Sequence, residues 1–312
     1  MAALPFPPSE SDASPCRRRP PAAYPRCTLT KVVAVAAAAA AAVVAAAAFA
    51  ATPTAALLSR SAFLASLPSP PRSRGDTHGG PGATLPTEAL PDASSPAGRP
   101  ASVIVLHGSS SSGEQTLGIL RAVLLLTPRL RSYTHFIAPT AVRPDGTTGS
   151  WYVSRRNSSA PGGRTFDDVT LDAAAARVEA ILANEAARGI PRSRTALIGF
   201  SQGGGLALEV ARRLAVAPAG RGRPLAGTVV GAGFVADVGR WAGLTSGSGD
   251  VLMIHGEEDT VVPLAAARES AAVLRRAGFD VTLEVLPGEG HLITSPVAVG
   301  QALSFLTRVL PP

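Results

Sequence analysis

Gly199-Phe200-Ser201-Gln202-Gly203 is the stretch of this chain best suited to chemistry. It follows the apolar run Thr195-Ala196-Leu197-Ile198 and opens a helical pattern. A serine flanked at two positions on either side by glycine, on a strand–turn–helix junction, is a nucleophile lifted off the end of a sheet. The glycines let strand and helix cross closely, and Gly204 and Gly205 extend that approach. The backbone N–H of Gln202, at the helix start, then points to where a negative oxygen would form. Read without chemistry, the same stretch is a serine helix cap followed by packing glycines.

A serine hydroxyl attacks poorly until a base takes its proton. In this setting the partners follow in the order acid, then histidine. After Ser201 only His255 and His291 remain. His255 ends a strand directly before a glycine and reads as structural. His291 lies in Pro287-Gly288-Glu289-Gly290-His291, a loop after the last strand, and is the expected base. The acid belongs in the loop after the preceding strand, where Glu257, Glu258 and Asp259 stand. Asp259 is preferred because Val261-Val262-Pro263 fixes it in a turn before a helix; Glu257 and Glu258 read as solvated. Its task is to hold the imidazole in the tautomer that accepts the serine proton.

A second donor to a developing oxyanion should come from the loop after an early strand. Leu106-His107-Gly108-Ser109 supplies the backbone N–H of Ser109. The following Ser-Gly run has the spacing of a phosphate loop, but Glu114 stands where its lysine must be. Gly231-Ala232-Gly233-Phe234-Val235-Ala236 imitates a dinucleotide-binding turn without a clean strand–helix–strand frame, so it reads as a tight strand exit.

These residues require a scaffold, and the chain supplies one from Ala101 onward. Strands are expected at 102–106, 135–138, 195–200, 228–230, 251–255 and 282–286. Helices are expected at 114–126, 166–187, 202–217, 264–277 and 297–310, with Gly189 closing the second. Continuous apolar strands alternating with helices imply an α/β fold: a mostly parallel sheet with helices on both faces. In such sheets the chemistry gathers at the carboxyl ends of the strands.

The amino-terminal third has another texture. Residues 1–31 are a basic segment rich in Pro, Ser and Arg. Residues 32–51 carry no charge and comprise fourteen Ala, five Val and Phe49. That is long enough for one membrane-spanning helix, with an insertion drive of roughly −2 kcal/mol. Arg17, Arg18, Arg19, Arg26 and Lys31 precede it, which would leave the amino terminus cytoplasmic and the remaining chain lumenal or extracellular. Ala48-Phe49-Ala50 also has the form of a cleavage site, so a cleaved secretory or organelle signal is the alternative, and a plain alanine-rich tract the third. Residues 52–100 read as a flexible linker and 101–312 as the catalytic domain. Asn157-Ser158-Ser159 is a glycosylation sequon if that domain is translocated.

The net charge of +7 is spread over the chain, and aromatic residues are only 4%. No arginine cluster interleaves with aromatics, so no nucleic-acid partner is expected. Cys16 and Cys27 lie outside the expected domain, which therefore has no thiolate nucleophile or metal ligand.

Leu106-His107-Gly108, Ala138-Pro139-Thr140, Trp151-Tyr152, Gly189-Ile190-Pro191, Gly199-Phe200-Ser201-Gln202-Gly203-Gly204, His255-Gly256 with Asp259 and Val261-Val262-Pro263, and Gly290-His291 occur in that order. Together they resemble the acyl-protein thioesterase and carboxylesterase branch of the α/β-hydrolases, the phospholipase/carboxylesterase family. The resemblance spans about residues 101–310. It implies an α/β-hydrolase fold, a triad of Ser201, Asp259 and His291, and oxyanion donors at Ser109 and Gln202, all in agreement with the reading from strand ends. The chain departs from the family pattern at Val153, where an acidic residue is usual, and in the serine run after Gly108. It also departs after Val230 and in glycine- and arginine-rich insertions at 155–164 and 218–224. The expectation is a serine hydrolase of carboxylic esters or thioesters acting without metal or organic cofactor. Its substrates would be small-molecule or lipid acyl esters, or acylated proteins. Membrane association would run through residues 32–51. A ligand-binding protein on the same fold, without turnover, is the rival.

Overall fold

A computed structural model describes residues 87–89, 99–156, 164–217, 224–293 and 295–312. The segments 1–31 and 32–51, the sequon at 157–159 and most of 52–100 lie outside the described residues. Among the described residues no helix is long and apolar enough to cross a membrane.

The elements run β1 (Thr87–Ala89), β2 (Ala101–Leu106), α1 (Gly113–Leu124), α2 (Pro128–Tyr133), β3 (Thr134–Pro139), β4 (Ser154–Arg156) and β5 (Arg164–Phe166). Then come α3 (Asp168–Ala187), β6 (Thr195–Phe200), α4 (Gln202–Val216), β7 (Gly227–Gly231), β8 (Asp250–Gly256), α5 (Leu264–Arg276), β9 (Asp280–Leu286) and α6 (Pro296–Val309). Seven strands form one sheet in the order β1-β3-β2-β6-β7-β8-β9. Only β1 is antiparallel, pairing with β3 through Glu88 opposite Ala138. The expected mostly parallel sheet is therefore present, with a strand at 87–89 inside the stretch read as linker. Three residues are too few to show a period, so pairing rather than pattern creates that strand. The β4–β5 hairpin and α2 were likewise not expected from the sequence.

Alternation along β2 shows how both faces are covered. Val103 and Val105 pack with Leu117 of α1, Leu130 of α2 and Phe305 of α6. Ile104 and Leu106 point the other way, onto Leu171 and Leu182 of α3 and Leu206 of α4. Further along that second face, Val230, Val251 and Met253 meet Leu208 of α4 and Ala267, Ala271 and Leu274 of α5. Each fully buried Leu, Ile or Val contributes about 1.5–3 kcal/mol of transfer free energy.

Local chemistry fixes where the helices start and stop. The Ser112 hydroxyl caps α1 at Gln115 N (3.2 Å), and the Asp167 carboxylate caps α3 at Thr170 N (2.8 Å). Ser295 caps α6, whose first residue is Pro296. Gly189 takes φ +89° just beyond α3, a conformation that an L side chain would strain.

Candidate active site

Ser201 sits between β6 and α4 with φ 51° and ψ −115°. A non-glycine residue held there stores about 1–3 kcal/mol of backbone strain. Steric necessity explains the surrounding glycines. A Cβ on Gly203 would overlap the Leu106 carbonyl, and one on Gly199 would overlap the backbone of Gly203. A Cβ on Gly204 would stand 2.9 Å from Val230 Cγ1 on β7, and one on Gly205 2.6 Å from the Tyr152 hydroxyl oxygen. The turn is tied to the sheet by Ser201 N–H donating to the Gly231 carbonyl, 2.8 Å.

His291 reaches Ser201 from the loop after β9. Its Nε2 lies 3.0 Å from Ser201 Oγ, and its Nδ1 lies 2.8 Å from Asp259 Oδ2. A carboxylate only accepts, so Nδ1 carries the proton and Nε2 is left to take one from serine. The Asp259 side chain is fully buried, whereas that of His291 is 17% exposed. Asp259 Oδ1 accepts from Val261 N and Val262 N, each at 2.8 Å, which is how the Val-Val-Pro segment fixes it. Glu257 and Glu258 are exposed, as expected. The loops after β8 and β9 are stitched together by Glu257 N to Leu286 O and Glu258 N to Glu289 O, both 2.9 Å. Thus β8 and β9, neighbours in register from Asp250–Asp280 to Gly256–Leu286, deliver Asp259 and His291 side by side.

His255 is buried, as its strand position implied, but it also approaches Asp259. Its Nε2 donates to the Val262 carbonyl at 2.8 Å and stands 3.3 Å from Asp259 Oδ2. Its Nδ1 has no partner among the described residues. The Phe200 ring packs against the His291 imidazole with centroids 5.3 Å apart.

The loop after β2 passes directly over Ser201. A Cβ on Gly108 would lie 3.5 Å from Ser201 Cβ and 2.9 Å from Phe200 Cδ1. Among the described residues, neither Ser109 N–H nor Gln202 N–H donates to another group, while the next N–H, of Ser110, is committed to the Gly149 carbonyl at 2.7 Å. The sequence assigned no role to the Gln202 side chain, yet it is buried and locks a second loop to the helix start. Its Oε1 accepts from Trp151 N (2.9 Å) and its Nε2 donates to Tyr152 O (2.7 Å). The Tyr152 hydroxyl returns a bond to Gln202 O at 3.1 Å, and burial pushes that phenol well above its ordinary range. Trp151-Tyr152 was visible only as part of a familiar pattern, because no local rule links it to a residue fifty positions away.

Ser201, His291 and Asp259 therefore form one hydrogen-bonded chain, and among the described residues the backbone N–H groups of Ser109 and Gln202 are uncommitted. Known esterases and a thioesterase resemble this chain. Over 146 residues the chain is 32% identical to acyl-protein thioesterase 1 of Gibberella zeae, a match covering 42% of this chain and 55% of that protein. Over 168 residues it is 36% identical to esterase YpfH of Escherichia coli, covering 49% and 66%. The matched stretches thus span between about half and two thirds of these curated relatives. The crystal structure of esterase PE8 superposes with a TM-score of 0.59 at 26% identity, covering 73% of this chain and 100% of that one. The sequence profile described as Phospholipase/Carboxylesterase matches residues 93–310, nearly everything the sheet and its helices comprise. With that profile spanning well over half its length, the chain belongs to the phospholipase/carboxylesterase family of α/β-hydrolases.

Proposed function

We propose that this protein is a serine hydrolase that cleaves carboxylic esters or thioesters through an acyl-enzyme. The observation that carries this reading is His291, with one ring nitrogen 3.0 Å from Ser201 Oγ and the other 2.8 Å from a buried carboxylate. Ser201 Oγ attacks the acyl carbonyl carbon while His291 Nε2 takes its proton. The carbonyl oxygen becomes an oxyanion held by the N–H groups of Ser109 and Gln202. His291 then gives its proton to the departing alcohol or thiol, leaving an acyl ester on Ser201. Water enters, loses a proton to His291, and the same steps release the acid and restore the serine. Asp259 stays ionised and stabilises the imidazolium.

An apolar acyl group suits the surroundings. Leu292, next to His291, is 61% exposed, and Val261, two residues from Asp259, is 43% exposed. Large apolar side chains held in water beside a polar site favour a substrate with apolar surface to cover them.

Two measurements test the reading. Ser201→Ala removes the nucleophile and abolishes hydrolysis of p-nitrophenyl acyl esters. A fluorophosphonate probe labels the wild-type protein and not the variant, since only an activated serine reacts. Full activity in the variant, or no labelling of the wild type, overturns it.

The charge-free stretch 32–51 and the basic residues before it support a membrane-tethered placement with the catalytic domain lumenal or extracellular. Protease protection of a tagged carboxyl terminus in sealed vesicles tests this. A terminus digested in intact vesicles of known orientation contradicts it.

A further inference from the structure

We infer that His107 is a positioning residue for the oxyanion: its ring pins the Gly108–Ser109 peptide so that the Ser109 N–H faces the reacting carbonyl. The inference rests on the ester-hydrolase reading above and extends it to a residue outside the triad.

His107 is 3% exposed, and both ring nitrogens are used. Nδ1 lies 2.7 Å from the Gly108 carbonyl oxygen, and the Ala141 N–H reaches Nε2 at 2.9 Å. A carbonyl only accepts and a backbone N–H only donates, so Nδ1 must carry the hydrogen and Nε2 must lack one. The ring is therefore neutral, in one tautomer. Burial favours that state by holding its pKa below the ordinary histidine value, an effect the bond to Gly108 O partly offsets. Trp151 fixes the ring plane: the two ring centroids are 4.8 Å apart, and Trp151 Nε1 donates to the His107 carbonyl at 2.8 Å.

The consequence follows from the peptide bond. The carbonyl of Gly108 and the N–H of Ser109 belong to one rigid trans unit and point in opposite directions. Holding the carbonyl toward the His107 ring turns the N–H away from it. The Gly108 end of that unit is the segment that passes over Ser201. A hydrogen bond to the carbonyl also polarises the peptide and strengthens its N–H as a donor. The adjoining Ser110, at φ 65°, turns its own N–H to Gly149 O, so of these two neighbours only Ser109 keeps an uncommitted N–H among the described residues.

His107→Asn and His107→Leu separate this role from packing. The two replacements have nearly the same shape, and both lose the acceptor for Ala141 N–H. Only Asn keeps a donor near the place of Nδ1. The expected result is a kcat for Leu about 10–100-fold below that for Asn, with KM for a p-nitrophenyl ester little changed. Affinity for a trifluoromethyl ketone, whose adduct with serine bears the oxyanion, should fall in parallel. Equal kcat in the two variants, or a loss confined to KM, overturns the role of His107. The fluorophosphonate result at Ser201 would still stand, so the two readings fail separately. If the Leu variant does not fold, nitrogen NMR of the wild-type protein decides. The hydrogen is expected on Nδ1 of His107 at neutral pH, and an Nε2–H tautomer or an imidazolium overturns the inference.

Discussion

Gly256 and Glu289 meet where the loops carrying Asp259 and His291 cross. A Cβ on Gly256 would overlap the carbonyl oxygens of Glu289 and of Gly290. Asp259 and His291 are thus brought together by two loops whose backbones touch directly.

Gly256→Ala should push the loops apart. A misplacement of about 1 Å at reacting groups costs on the order of 10²-fold in rate, and overpacking about 1–3 kcal/mol of stability. Steady-state kinetics with urea unfolding checks both. Wild-type kcat in this variant would show that the crossing does not set the geometry.

Asp259→Asn should lower kcat on the order of 10³–10⁴-fold, because the amide no longer holds the hydrogen on Nδ1 of His291. KM for a p-nitrophenyl ester and the circular dichroism spectrum should change little. A loss of less than ten-fold would demote Asp259 to a loop anchor.

His255→Leu removes the donor to Val262 O and the contact with Asp259 Oδ2. Asp259 Oδ2 keeps its bond from His291, so the cost is that of leaving the Val262 carbonyl unpaired in the interior, about 1–3 kcal/mol. His255→Gln, which can place an amide N–H near Nε2, should recover part of it. Thermal unfolding of the pair, read beside kcat, checks this. Equal stability of the Leu and Gln variants would mean that the lost hydrogen bond is not the cause.

At the opposite end of the sheet, Glu185 is 3% exposed and accepts from Ser102 Oγ and from His135 Nδ1 at 2.9 Å. Burial raises its pKa, and the hydrogen bonds from His135 and Ser102 more than reverse this, leaving the carboxyl below its ordinary value. A group that binds its proton less tightly when folded stabilises above the unfolded pKa and loses that contribution as pH falls through the folded one. Glu185→Gln should therefore cost about 1–3 kcal/mol near neutral pH, and its deficit should shrink once pH drops below the glutamate range. Urea unfolding of both proteins across that range is the measurement. A deficit that stays constant under acid contradicts the ionised assignment.

The turn at Ser201 was legible in the sequence because its geometry is local. A strand, a sharp turn and a helix are contiguous, and the glycines that let them cross must stand at fixed offsets from Ser201. The placement of His291 and Asp259 beside it was legible for a related reason. Only two histidines follow Ser201, and each candidate stands in the loop of an identifiable strand. Edge strand β1 and the β4–β5 hairpin were not legible, since three-residue strands owe their existence to a partner rather than to a pattern.

The sequence by itself determined the periodicities that make a parallel sheet with two apolar faces, and the residue types needed for a hydrolytic triad. Tertiary structure alone decided which groups are uncommitted. The freedom of Ser109 N–H depends on where the Gly108 carbonyl and Ser110 N–H are spent, on His107 and Gly149. The second imidazole on Asp259, and the Gln202 side chain clasping Trp151 and Tyr152, likewise join residues that share no local pattern. Hydrogen bonds are short-ranged in space but indifferent to sequence separation, so only the folded chain can settle how each donor and acceptor is used.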